Sequence, residues 1–564
     1  MIRIIFIFIV FQCCLMNIFG QAVTQNTATN EVAKTKPVTG TITGQISGGE
    51  GQKFSDITVS LYNINTRERR TGLSNENGSF TFSDVPVGVY QIGAFTSAYV
   101  SSFPAKANNF RIGDNVSILL VKGGVITGKI LDSAGRPVVG ASASAIRVRD
   151  DEGRPTNPGQ YGNDMTDDLG GYRIYGLSGG TYIISAAPIE AYSGIKHHET
   201  ATYFPSSTRD TAQEIVVQPG AEITGIDVIY RNDRGYSVSG GMVLKDGELS
   251  DMNGNVQLVS ASTGMWVASA FFNSTRPNFA FYGIPDGEYE VSASRFFNSN
   301  TPTNQAGIAI STKIKVHGAD VTGIVLNFNS PASIHGRLTL EKLVTPNPTC
   351  KISRNAFLEE TSILAIKEDP SVRSQMMQQT TLSANGELSV TQMSPGMYRL
   401  AAQLPSDFWY LKAITFPSKT IKIDVARQGI YVRPGEKLTG VSMLIGEGAA
   451  SLQGKIIAAP DQKLPSKIRV YAIPFGVQEA ENTTRYFEAL TRDANFTLDS
   501  LAPGKYWIYA AGIGETEKFT LRDTKIWDPK SRAQLRREAE AAKQWIELAP
   551  CQKVKDFALT VKVR

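Results

Sequence analysis

One short stretch occurs five times in this chain, and that recurrence limits the folds open to it; the last copy reads Asn495-Phe496-Thr497-Leu498-Asp499-Ser500-Leu501-Ala502-Pro503-Gly504-Lys505-Tyr506-Trp507-Ile508-Tyr509-Ala510. Phe496 and Leu498 alternate with polar neighbours at the strand period of two, Pro503-Gly504 turns the chain, and Tyr506, Ile508 and Ala510 alternate on the way back. The pattern reads as a β-hairpin whose core-facing set is given by the residues. The same grammar, apolar-x-x-Gly-x-Tyr-x-apolar-x-Ala, runs from Val85 to Ala94, Leu177 to Ala186, Ile284 to Ala293 and Met393 to Ala402. Its tyrosines, Tyr90, Tyr182, Tyr289, Tyr398 and Tyr506, are spaced by 92, 107, 109 and 108 residues, the size of one small β-sandwich. The glycine before each tyrosine is expected to supply a positive φ. The tyrosine is expected to bury its ring and bond nearby backbone through its hydroxyl, a structural and not a catalytic role.

Composition agrees with many short strands joined by tight turns: of 564 residues 41% are hydrophobic, with 51 Gly and 26 Pro. The basic surplus is 57 minus 52, or 5, spread without a long basic block, which gives no support to nucleic-acid binding. Met1-Ile2-Arg3 and the apolar run from Ile4 to Phe19 have the form of a secretory signal, with cleavage expected after Ala22 or, alternatively, Gly20. That run falls short of the ~20 residues a membrane-spanning helix needs. Val10-Phe11-Gln12 lacks the small residue expected ahead of a lipidated cysteine at Cys13 or Cys14. The expected location is secreted, periplasmic or cell-surface, with no transmembrane segment once the signal is removed.

Residues 23–37 read as a flexible spacer. Each unit then opens with an apolar strand containing glycine, as in Ile42-Thr43-Gly44-Gln45-Ile46, Ile126-Thr127-Gly128 and Leu452-Gln453-Gly454, with variants at Gly240 and Gly336. Five such glycines argue for a bulge or a close neighbouring backbone at that position. Closing strands carry alternating sets such as Val116, Ile118 and Leu120, or Phe557, Leu559 and Val561, and only short links separate one unit from the next. The expected organisation is signal 1–22, spacer 23–37 and β-sandwiches at 38–122, 123–232, 233–330, 331–447 and 448–564, arranged as a semi-rigid row. The last contains a helix at 529–546, with Asp528 as N-cap, Pro529 in the first turn and an inner stripe of Leu535, Ala539, Ala542 and Ile546. That stripe is expected to cover Trp507 and Tyr509, which point out of the sandwich.

The run Asp132-Ser133-Ala134-Gly135-Arg136-Pro137-Val138-Val139-Gly140-Ala141, then Thr166-Asp167-Asp168-Leu169-Gly170-Gly171-Tyr172-Arg173-Ile174 and the segment from Leu177 to Tyr182, resembles the carboxypeptidase regulatory-like domain. The resemblance is strongest in the second unit, good in the first and fifth and weaker in the third and fourth. It implies an all-β chain of five tandem transthyretin-like Greek-key sandwiches, related to starch-binding-like folds and to exported bacterial proteins built of such domains in tandem. It implies no peptidase, since in metallocarboxypeptidases this domain is an appendage to a separate catalytic domain. The self-forming isopeptide bond of the similar pilin-type repeats needs a buried acid, and the inward positions here are Ala94, Ala186, Ala293, Ala402 and Ala510.

Chemistry-bearing residues are sparse. The histidines are His197, His198, His317 and His335, and none stands in a zinc-binding spacing. Asn75-Glu76-Asn77-Gly78, Asp167-Asp168-Leu169-Gly170 and Ser383-Ala384-Asn385-Gly386 hold oxygen donors, but in turns too short for a calcium loop. The expectation is therefore a non-enzymatic envelope protein with no metal and no cofactor, binding a polysaccharide or another envelope protein; the alternatives are a scaffold or spacer and a hydrolase accessory protein. Trp266, Trp409 and Tyr410 are the candidate stacking residues, with burial at loops or junctions as the competing reading. Cys350 and Cys551, the cysteines left after signal removal, are candidates for a disulfide between the fourth and fifth units, or for two separate buried thiols.

Overall fold

The computed structural model describes residues 38–48, 54–102, 109–151, 153, 161–187, 198–244, 253–262, 264, 266–295, 308–309, 311–329, 331–343, 350, 355–368, 377–417, 422–458, 463–465, 468–491, 494–512, 526 and 529–561. The expected leader, the spacer 23–37, His197 and Asp528 lie outside them. From Thr39 onward the chain is all-β, built as five tandem β-sandwiches.

All five repeat one arrangement around the opening strand, which is Thr39–Ser47, Gly124–Leu131, Tyr236–Leu244, Ala332–Glu341 or Ala450–Ala458. That strand lies antiparallel to the strand before the tyrosine and parallel to the closing strand. The strands between, for example Ile468–Pro474 and Gly504–Gly512 in the last sandwich, form the facing sheet. In the third sandwich the short strand Ile308–Ala309 joins both sheets into one hydrogen-bonded ladder. In the second the closing strand is broken into Glu222–Ile223 and Val228–Ile229.

The opening-strand glycines answer to this packing. A Cβ on Gly128, Gly240, Gly336 or Gly454 would stand 2.0, 2.1, 2.0 or 2.3 Å from the carbonyl oxygen of Ile226, Ile324, Val441 or Phe557, and on Gly44 it would stand 2.6 Å from that of Val116. Any side chain there would push the closing strand out of its parallel ladder.

The repeated stretch is not a hairpin. Asn495–Leu501 pairs within the sheet of the opening strand, whereas Gly504–Gly512 belongs to the facing sheet. The first, second and fourth copies cross between sheets in the same way, and in the third the two strands are not neighbours. The stretch is thus an arch over the end of the sandwich. Alternating apolar residues suit both geometries, because either one turns every second side chain into the core. The tyrosine ties the arch: Tyr90, Tyr182, Tyr289, Tyr398 and Tyr506 donate to the carbonyls of Pro86, Ser178, Pro285, Ser394 and Ala502 at 2.7, 2.8, 2.8, 2.8 and 2.7 Å. The glycine before the tyrosine reaches φ of 150°, 147° and 140° at Gly180, Gly396 and Gly504, while Gly88 and Gly287 are not in the positive region expected of them. The invariant positive φ lies earlier in the arch, at Asp84, Gly176, Gly283, Gln392 and Ser500.

The long helix is Pro529–Ala542 and does not reach Ile546. Lys543 takes φ 56°, which ends the helix, and the chain returns as the strand Trp545–Leu548 on the edge of the last sheet. There Ile546 faces Tyr506 and packs on the sandwich core, because satisfying the open backbone of Gly504–Gly512 requires one more strand. The buried helix face is consequently Arg532, Leu535 and Ala539, at i, i+3 and i+7, and Ala542 is exposed. A second, four-residue helix, Val425–Gln428, is capped by Asp424.

Candidate binding surface on the last sandwich

The outward face of the last sheet divides into a covered and an open part. Leu535 and Ala539 of the long helix pack on Tyr471, Ile473, Tyr486 and Ile526, with Trp507, Tyr509 and Ala511 at the margin of the cluster. Arg532, 1% exposed, enters this layer with its charge compensated by the Ile526 carbonyl at 2.9 Å and the Glu481 carboxylate. Beyond the helix the pairing sets Trp507 between Ile473 and Trp545, so that Trp507 and Trp545 share the outward face.

Phe475 completes an aromatic group there. It follows the strand Ile468–Pro474, its N–H donates to the Lys505 carbonyl at 3.0 Å, and its ring stacks on Trp507 at 4.4 Å and 22°. Trp545 meets Phe475 edge-on at 6.0 Å and 64°. The loop is held by the helix: the Arg536 guanidinium donates to the carbonyls of Pro474, Phe475 and Gly476 at 2.9, 2.7 and 3.2 Å and pairs with Glu540 at 2.9 Å. Trp545 is 51% exposed, Phe475 37% and the adjacent Val477 80%. At the rim, Lys505 Nζ lies 5.6 Å from the Trp545 ring centre and 3.3 Å from Glu547 Oε2. The result is a rigid apolar surface bordered by a donor and an acceptor, able to stack on the carbon face of a sugar ring while the rim meets its hydroxyls.

The residues expected from sequence do not form such a surface. Trp409 is 6% exposed and belongs to the core of the fourth sandwich, so its ring is closed to ligand. Neighbouring Tyr410 is half-buried over Gly446, where a Cβ would meet its ring at 2.8 Å. Trp266, on the third sandwich, is half-buried at the seam with the second, its carbonyl accepting from Arg209. The sequence expectation includes neither Phe475 nor Trp545; the signal for Trp545 is Trp545-Ile546-Glu547-Leu548, whose alternation is that of a strand although the expected helix runs to Ile546.

The other chemistry-bearing residues are engaged structurally. His335 lies in a cleft of about 690 Å³, its Nε2 3.0 Å from Ser333 Oγ and its Nδ1 3.1 Å from Ser389 Oγ. Burial and the Lys437 charge hold its pKa below the usual histidine value. The carbonyl of His198 accepts from Gly235 at the second link. Asn75 Oδ1 accepts from the N–H groups of Asn77 and Ser79 at 3.0 and 2.9 Å, and Asp167 Oδ1 from those of Leu169 and Gly171 at 2.9 and 2.7 Å. These oxygens cap turns. Among the described residues no group of three His, Cys, Asp or Glu stands close enough to hold a metal ion, and no helix is long and apolar enough to cross a membrane.

No family model matches the chain, and no curated protein matches it either. Among solved structures it is similar to the Bacillus anthracis TIE protein, at 15% identity over 51% of this chain and 50% of that one, with a TM-score of 0.14. It is also similar to GBS52, the minor pilin of Streptococcus agalactiae, at 14% identity over 34% of this chain and 96% of that one, TM-score 0.20. A third is the pair of B repeat units of the collagen binding protein of Staphylococcus aureus, at 10% identity over 73% of this chain and 100% of that one, TM-score 0.13. The chain thus spans half the length of the first of these.

Proposed function

We propose that this chain is a non-enzymatic, multidomain binding protein of the cell envelope, exported through the signal 1–22, whose last sandwich holds a polysaccharide on Trp545 and Phe475. The observation that carries the reading is the solvent-facing pair itself: Phe475, on a loop whose carbonyls Arg536 holds, and Trp545, set by its strand pairing to Trp507 and meeting Phe475 edge-on, flanked by Lys505 and Glu547. An apolar surface of this kind with a polar rim is costly to leave open to water and suits a ligand with one apolar face. Five units bounded at 38–122, 123–232, 233–330, 331–447 and 448–564 place this surface on the last of them. The second unit is assigned to the carboxypeptidase regulatory-like class on the turn around Asp132, whose Oδ1 accepts from the N–H groups of Ala134 and Arg136 at 2.9 Å each.

A glycan array on the chain beginning at Val23, followed by titration of any hit with tryptophan fluorescence, tests the reading. Binding that falls by about 2 kcal/mol in Trp545→Ala and in Phe475→Ala supports it. No binding to any polysaccharide, together with a stable protein partner that the same substitutions release, transfers the surface to the scaffold reading.

A further inference from the structure

The segment 355–361 of the fourth sandwich is shared between two cores. Ala356 and Leu358 pack on the core of the fourth sandwich, whereas Phe357 between them packs on the core of the first. Its backbone is set for this: Glu360, fully buried, accepts from the Phe357 N–H at 3.1 Å, and the Thr361 N–H donates to the Leu358 carbonyl at 2.9 Å. From the first sandwich, Arg111 Nε donates to the Glu360 carbonyl at 3.0 Å and Arg111 Nη2 to the Leu404 carbonyl at 3.3 Å. The Asn109 amide donates to Gln403, and Asn65 reaches the wall of the cleft around His335. These contacts join residues 249 to 294 positions apart.

We propose that the first sandwich is clasped onto the fourth, closing sandwiches one to four into a ring where the sequence pointed to a row. Phe357 is the apolar knob and Arg111 the polar clamp. A phenylalanine turned away from its own core has a reason only if another core receives it. A guanidinium spread over two backbone carbonyls fixes the angle at which it is received, through donors that a lysine could not fork in this way. The intervening sandwiches act as the tether that keeps the two surfaces at high effective concentration, so a clasp with few contacts holds.

The test uses the chain beginning at Val23. Small-angle X-ray scattering should give a larger maximum dimension for Phe357→Asp with Arg111→Glu than for the unmodified chain, with unchanged β-sheet circular dichroism. In a second measurement, Asn109→Cys with Gln403→Cys, treated with a short bismaleimide, should crosslink within one chain, as mapped by mass spectrometry. Equal dimensions for both proteins, or no crosslink, overturns the closed ring; a crosslink found between chains overturns it in favour of docking between copies.

Discussion

Six residues before each of the five arch tyrosines the backbone enters the left-handed region, with φ of 53° at Asp84, 70° at Gly176, 64° at Gly283, 62° at Gln392 and 56° at Ser500. The ladder to the opening strand slips at the same place in every sandwich, so this is a bulge that turns the strand into the arch. Two sandwiches have glycine there and three do not. Left-handed backbone costs an L-residue about 1–2 kcal/mol, and glycine's added unfolded-state freedom offsets only part of that. Ser500→Gly should therefore stabilise the last sandwich by up to about 1 kcal/mol in urea denaturation, whereas Gly176→Ala should destabilise the second. The tyrosines make a second prediction. Burial pushes the Tyr182 phenol up to about 12 from 10.0 and raises those of Tyr90, Tyr289, Tyr398 and Tyr506 as well. A phenol that holds its proton more tightly when folded contributes stability that is complete below the unfolded pKa and is lost as pH rises through the folded value. Melting temperature should be insensitive to these groups below about pH 10 and fall between about pH 10 and 12. Tyr506→Phe should cost about 1–2 kcal/mol at neutral pH, because the buried Ala502 carbonyl loses its donor.

At the scale of elements, the helix Pro529–Ala542 both covers and supports. Leu535→Asp places a carboxylate among Tyr471, Ile473 and Tyr486 and should cost about 3 kcal/mol or more, with Trp507 becoming accessible to quencher. Arg536→Ala separates the two roles. It removes three donors from the loop carrying Phe475 but no side chain from the buried face. Folding stability should change by about 1 kcal/mol, whereas glycan affinity on the Trp545 surface should fall by about tenfold, read by the same fluorescence titration. If affinity is unchanged, the rings need no support from the helix. The inner stripe expected from sequence had two of its four residues right. Leu535 and Ala539 are buried, but Arg532 precedes them where an apolar residue would be read, and Ile546 belongs to a strand. Periodicity is blind to a buried arginine whose partners, Ile526 and Glu481, come from elsewhere in the chain.

For the whole molecule, the junction of the fourth and fifth sandwiches is tied by a covalent bond and by polar contacts. Cys350 and Cys551 are bonded in the structure, with Cα atoms 5.2 Å apart. Thr483 Oγ1 donates to the Ala426 carbonyl at 2.8 Å, and Arg427 pairs with Glu479 at 3.2 Å. Cys551 has φ 62° at the turn before the closing strand, where Gly113, Gly220, Gly318 and Gly435 hold the same position with φ of 86°, 74°, 67° and 67°. A cysteine in glycine's place bears backbone strain, and its sulfur partner is what the side chain supplies in return. Protein purified from an oxidising compartment, denatured without reductant, should show no free thiol. With the two cysteines 201 positions apart in sequence, the chain-entropy model sets an upper bound of about 5 kcal/mol on the stabilisation. Two free thiols would overturn the pairing.

What the sequence determined by itself is whatever repeats locally: the strand alternation, the number of sandwiches, the buried Tyr506, Ile508 and Ala510, and the need for glycine at Gly128 or Gly336. Each of these answers a constraint set within a few residues or by the immediately adjacent strand, and recurrence exposes it. The tertiary structure alone decided which strands pair, turning the expected hairpins into arches, which cross between sheets in every sandwich but the third. It also decided that Trp409 lies in a core while Phe475 and Trp545 face outward, and that Phe357 is received by a core some 250 residues away in sequence. Alternation says that a side chain turns to one side of its strand; which surface waits on that side depends on chain far removed in sequence, and no local pattern carries that information.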